Sequence, residues 1–130
     1  MPVKSLDELT PETKALAVQF LAAANAALKA DGLAVWVTET YRPQKRQDEL
    51  YAQGRINRGD IVTRTRHSRH TQRTAFDVAF KSAVWWKRGV DPYKGHDEAW
   101  ERIGKIGESL GLHWGGRWAQ RDLPHFQVGE

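Results

Sequence analysis

The amino-acid sequence predicts a single α+β domain. Apolar residues recur at helical spacing early and late in the chain, and short β-branched or aromatic runs lie between and after them. The two kinds of segment do not alternate in the regular strand–helix–strand order of a parallel sheet. The 130 residues leave room for one core, so the whole chain, 1–130, is assigned to one domain.

The elements follow in order. A helix is expected over Pro11 to Ala30, with Thr10 as its N-cap and Pro11 at the first helical position. Glu12 lies in the first turn, and Leu16, Phe20, Ala24 and Leu28 form an apolar stripe. Asp31-Gly32 ends it. Ala34 to Thr40 reads as a strand, broken by Arg42-Pro43, and a short helix spans Gln44 to Gln53 before Gly54. Ile61-Val62-Thr63 is expected as a short strand. Ala75 to Phe80 is the most informative one. Its alternation places Phe76, Val78 and Phe80 on one face, with Ala75, Asp77 and Ala79 on the other. A carboxylate thus emerges among small residues. Trp85 to Gly95 is expected to be irregular. A helix over Asp97 to Leu110 follows, carrying Trp100, Ile103, Ile106 and Leu110, with Gly111 at its end. A final strand lies around His125 to Val128.

Composition narrows the function. Without cysteine, disulfides, thiolate zinc sites, iron–sulfur clusters and cysteine nucleophiles are excluded. No apolar run approaches the roughly 20 residues that cross a bilayer, and the charged start lacks a secretory core. The net charge of +4 is concentrated between Arg55 and Arg73, where six arginines and two histidines meet one acid, Asp60. Such a stripe is either a solvated face or a surface for an anionic partner.

Hydrolytic metal sites need imidazoles and carboxylates that converge with one coordination position open. Two clusters supply such donors: Ser68 to Asp77, where His70 precedes the strand aspartate, and Asp122-Leu123-Pro124-His125-Phe126. Spacing alone does not establish a metal site, because His-x6-Asp and Asp-x2-His recur by chance.

The set Tyr41-Arg42-Pro43, Ser68-x-His70-x6-Asp77 and Asp122-x-Pro124-His125-Phe126 resembles the zinc DD-peptidase family, M15. Its members include D-alanyl-D-alanine carboxypeptidases, D,D-dipeptidases and phage L-alanyl-D-glutamate endopeptidases. Gly111-Leu112-His113-Trp114-Gly115-Gly116-Arg117-Trp118 is similar to a phrase of the short endolysin branch. So is Tyr41-Arg42-Pro43-Gln44 followed by Asp48 to Arg55. The resemblance runs from Val35 to the C-terminus. It implies a Hedgehog/DD-peptidase-like fold, a small antiparallel sheet with flanking helices, and one zinc ion held by His70, Asp77 and His125. It further implies Asp122 as catalytic acid/base, Arg42 as a substrate-binding or polarising group, and Ser68 as support for the first ligand or the peptide. One departure stands out: the family places glycine where this chain has Arg73.

The implied activity is zinc-dependent cleavage of the peptidoglycan stem peptide at L-alanyl-D-glutamate. The implied role is that of a monomeric phage or prophage endolysin made in the host cytoplasm and released to the wall by a holin-type partner. Three alternatives stand beside it: a D-alanyl-D-alanine carboxypeptidase of the same fold, a non-catalytic wall-binding module, and a nucleic-acid-binding protein. The last lacks any accompanying motif. His67, His96 and His113, with Glu39 and Glu49, are expected to be structural or exposed. Trp114 and Trp118 are expected either to pack or to wall a substrate site, and Trp85 and Trp86 either to enter the core or to form an exposed contact.

Overall fold

The first helix, α1 (Pro11–Leu28), starts where the sequence places it. The Thr10 hydroxyl accepts the Thr13 N–H (3.3 Å), satisfying one of the free donors of the first turn. Its buried stripe is Thr13, Ala17, Phe20, Ala24 and Leu28. Leu16 sits at the margin of the core and is only partly covered. The last expected turn tightens into a 3-10 turn, Lys29–Asp31, which Gly32 closes in the left-handed region (φ 70°). The structure, a computed structural model, describes residues 2–56, 58–63, 65 and 67–130.

Four strands form one antiparallel sheet in the order β1-β2-β4-β3, with β1 Leu33–Glu39, β2 Ala75–Ser82, β3 His113–Trp114 and β4 His125–Gln127. One face of β2 buries Phe76, Val78 and Phe80 against α1 and α3 (Asp97–Ser109). The aromatic stack is continuous: Phe20 lies 4.5 Å from Phe126 and 5.7 Å from Phe76, and Phe80 lies 4.4 Å from Trp100. Burying rings of this size supplies most of the apolar stabilisation open to a small domain. On α3, Trp100 and Ile103 are buried, while Ile106 and Leu110 are partly covered at its end. Gly107 permits the close approach of α3, because a Cβ there would lie 2.6 Å from the Phe126 ring.

The short helix α2 (Gln44–Ala52) forms as expected. Ile61-Val62-Thr63 does not become a strand. Ile61 and Val62 are exposed, and Thr63 is held by its contacts to Gln47 and Arg55. An isolated β-branched run gains nothing from an extended conformation unless a neighbouring strand is free to pair with it. No regular element spans Trp85 to Gly95, as expected, and Trp85 and Trp86 are exposed there, packed edge to face on each other at 5.7 Å. Of the basic stripe, Arg64 and Arg66 lie outside the described residues. Before α1 the chain makes a 3-10 turn, Leu6–Glu8, that the sequence reading did not anticipate.

Candidate metal centre

The sheet register builds the site. Across β2 and β4, Asp77 lies opposite His125; across β1 and β2, Glu39 lies opposite Asp77 after a register shift between Val37 and Glu39. Directly opposed residues bring their Cβ atoms within about 5.5 Å, so three strands set Glu39, Asp77 and His125 in one row. His70 reaches the row from the loop before β2. Its N–H is accepted by the Ser68 hydroxyl (3.1 Å), and its carbonyl accepts the N–H groups of Arg42 and Arg73 (3.2 Å each). Arg73 has φ 65°, the left-handed conformation natural to glycine, which a side chain occupies at a cost of about 1–2 kcal/mol. Its guanidinium stacks on Tyr41 (3.8 Å) and pairs with Glu8 (2.5 Å). Arginine thus takes a backbone shape natural to glycine.

The donor atoms His70 Nε2, Asp77 Oδ1 and His125 Nδ1 converge. Each imidazole nitrogen lies 3.1 Å from the same carboxylate oxygen, and one ligand atom from each residue lies within 4.8 Å of the others. The outer nitrogens fix the tautomers. His70 Nδ1 faces the carbonyl of Thr40 (2.9 Å), which can only accept, so Nδ1 carries the proton. Gln127 donates its amide N–H to the Gly129 carbonyl, leaving Oε1 to accept from His125 Nε2 (2.8 Å). Both imidazoles therefore aim their second nitrogen at an anion. Two lone pairs facing a carboxylate repel unless protons or a cation stand between them. The set fits zinc: two imidazoles and a carboxylate, each imidazole held from behind, with one tetrahedral position left open.

The electrostatics agree. With protons rather than a cation on the two inner nitrogens, burial pushes the Asp77 carboxyl up, but the hydrogen bonds from His125 and His70 outweigh it and hold Asp77 well below the usual range. Burial pushes His125 down, yet its bond to Asp77 and the nearby acids raise it overall. Asp122 is raised by burial and then by the charge of Asp77, against the pull of His125, His70 and Arg42. It sits at the start of a turn closed by His125 N–H to Asp122 O (3.1 Å), which brings its Oδ2 to 3.9 Å from His125 Nδ1. Sequence separation alone did not require the two to share a face; the turn makes them do so. Gly115 supports the turn, accepting the Asp122 N–H at 2.9 Å.

These groups line an open cleft of about 1110 Å³, together with Arg42, Ser68, His67, Trp118, Arg46 and Arg121. Arg42 is largely buried and doubly bound by Glu39, through Nε (3.2 Å) and Nη2, while Nη1 donates to Gln47 Oε1 (2.7 Å). These contacts use three of the five guanidinium N–H bonds. Trp118 is partly exposed with its ring 5.1 Å from that of His125, whereas Trp114 is buried and donates its indole N–H to Leu123 O (2.8 Å). His67 is exposed at the cleft and outside the donor cluster. His96 packs on Phe80, and His113 lies half-buried opposite Gln127. Glu49 pairs with Arg46 on the surface. Glu39 is more than structural filler, because it holds Arg42 in the cleft.

Sequence reasoning missed Thr40, Gln127 and Gln47. Gln127 carried a signal, standing two residues beyond His125 on the same strand face. Thr40 carried none, since its contribution to His70 is a backbone carbonyl.

Comparison with known proteins agrees with this geometry. A family model described as D-alanyl-D-alanine carboxypeptidase matches residues 62–128, which include all three donors and Asp122. The peptidoglycan L-alanyl-D-glutamate endopeptidase CwlK of Bacillus subtilis is 36% identical over 134 residues, covering 98% of this chain and 77% of that protein. The crystal structure of the Serratia marcescens L-Ala D-Glu endopeptidase ChiX superposes with a TM-score of 0.63 at 23% identity, over 95% of this chain and 83% of that one. The vancomycin-resistance D,D-pentapeptidase VanY, in a mutant form complexed with Zn(II), superposes with a TM-score of 0.54 at 15% identity, over 92% and 72%. The two structural likenesses show the fold; the family match and the relative at 36% identity place this chain in the M15 family of zinc DD-peptidases.

Proposed function

We propose that this chain hydrolyses the L-alanyl-D-glutamate bond of the peptidoglycan stem peptide, with one zinc held by His70, Asp77 and His125. The observation that carries the reading is the convergence of those three donors with a half-buried acid, Asp122, 3.9 Å from one of them in an open cleft. The activity named for CwlK supports the choice of bond.

A bound zinc supplies Lewis-acid activation of water and of the scissile carbonyl. The chain's own residues do the rest. Asp122 takes the proton of the attacking water and returns it to the departing amine, help typically worth ~10²–10⁴-fold. Its partial burial suits that task, because desolvation raises its carboxyl and makes it a stronger base. The two uncommitted N–H bonds of Arg42 offer a clamp for the developing oxyanion or for a substrate carboxylate. Ser68 holds the loop that presents His70. Trp118 walls the cleft beside His125.

In its finer form the proposal has the chain acting as a monomeric phage-type lysin, made in the cytoplasm and released to the wall with a holin-type partner. It rests on the Gly111 to Trp118 phrase. A second reading, removal of terminal D-alanine, is favoured by the description of the matching family model. Mass spectrometry of products from purified sacculi, with chelator and zinc add-back, separates the two. Zinc-dependent fragments ending at L-alanine support the endopeptidase, whereas loss of D-alanine alone would replace it.

A further inference from the structure

We infer that the N-terminal segment 2–10 is a wall of the substrate cleft and that Thr40 is a positioning residue joining that wall to the metal ligand His70. The inference rests on the zinc-peptidase reading above. Pro2 and Val3 line the cleft. The segment is fastened at two points, each touching the loop that carries His70.

The first point is Thr40, fully buried at the end of the β1 strand region. Its backbone N–H donates to Val3 O (2.6 Å), and its hydroxyl donates to Ser5 O (2.8 Å) with a longer approach to Val3 O (3.1 Å). Its carbonyl accepts the Nδ1 proton of His70 (2.9 Å), which turns Nε2 toward Asp77. One residue therefore holds the wall with one side of its peptide and the ligand with the other. The second point is Arg73. Its carbonyl accepts the Thr10 N–H (3.0 Å), and its guanidinium binds Glu8 through both the carboxylate (2.5 Å) and the carbonyl (3.1 Å). Its own N–H returns to His70 O. Glycine at position 73 would meet the backbone demand and keep the bond to Thr10, but it would lose both guanidinium contacts to Glu8. This gives a physical reason for an arginine in left-handed backbone: its side chain clasps the wall.

Partners behind a metal-bound histidine typically affect metal affinity by ~10–100-fold when lost. The test compares the full-length protein with Thr40→Val, Thr40→Ser and Glu8→Ala. Zinc release is followed into excess chelator, and kcat and KM are measured on stem peptide. Thr40→Val keeps the carbonyl that bonds His70 and loses the hydroxyl that bonds Ser5 and Val3, so it loosens the peptide carrying that carbonyl. It is expected to release zinc about two- to fivefold faster, below the ~10–100-fold of losing the partner outright, with Thr40→Ser restoring the wild-type rate. Glu8→Ala is expected to raise KM about two- to fivefold with kcat and zinc release unchanged, the scale of one partly exposed ion pair. Wild-type zinc release in Thr40→Val, or equal release in the valine and serine variants, would overturn the positioning role. An unchanged KM in Glu8→Ala would overturn the wall, even if Thr40→Val does not fold. Zinc release needs only metal and chelator, so an error in the assigned substrate would silence the kinetics and leave that result standing.

Discussion

Replacing Gly115 with alanine displaces Asp122, the proposed general base, without touching it chemically. A Cβ at Gly115 would lie 3.0 Å from Asp122 Cβ and 3.2 Å from His125 Cβ, and closer still to the Asp122 carbonyl oxygen. Ordinary contacts between such atoms lie at about 3.5–4.0 Å, so relief needs a shift of roughly 0.5–1 Å. The Asp122 turn is the part able to move, because the Gly115–Gly116 side is held by the buried Trp114. A misplacement of that size in a catalytic group costs about 10²-fold in rate, or about 2.7 kcal/mol of transition-state stabilisation. Zinc should stay bound, since His125 is anchored in β4 and its ring is held from behind by Gln127. The assay is product release from sacculi per mole of bound zinc, with Gly116→Ala as a comparison whose clash is with the Trp114 ring. A Gly115→Ala enzyme with kcat within fivefold of wild type, or with zinc lost in proportion to activity, would refute the reasoning.

The other predictions concern the cleft directly. Asp122→Ala should lower turnover by about 10²–10⁴-fold while zinc content stays stoichiometric, measured by metal analysis of the purified variant. Arg42→Ala should lower kcat/KM and retain zinc, but it should also destabilise the fold, because it leaves the largely buried Glu39 carboxylate unpaired. Thermal unfolding of Arg42→Ala beside the double variant Glu39→Gln/Arg42→Ala should show the second recovering part of the loss. Zinc affinity should fall with acidity. His125 must be neutral to bind metal, and its pKa is raised above 6.5, so protons begin to compete above that pH. Below the raised value the apparent affinity should drop toward tenfold per pH unit, read by chelator competition between pH 5.5 and 8. A flat profile down to pH 6 would contradict the His125–Asp77 coupling.

The candidate site was legible in part because its chemistry is concentrated in a few residue types. An aspartate among alanines on the outer face of an otherwise apolar strand has little use in a core, and the period of two identifies that face without tertiary information. Ile61 to Thr63 shows the limit of the same logic. Its composition suits a strand, yet pairing is a property of the neighbour, and the groups that Thr63 meets are the side chains of Gln47 and Arg55.

By itself, then, the sequence determined the helix starts and the strand faces, which follow from local propensity and periodicity, while the donors were implied by the resemblance of its motifs to a family. Only the tertiary structure decided which donors meet. The β2–β4 register set Asp77 across from His125, a turn swung Asp122 beside it, and a buried carbonyl at Thr40 chose the tautomer of His70. Those outcomes depend on contacts between residues up to 48 positions apart. No local pattern encodes them, because the energy that fixes each one comes from packing and hydrogen bonds to segments that the local chain does not contain.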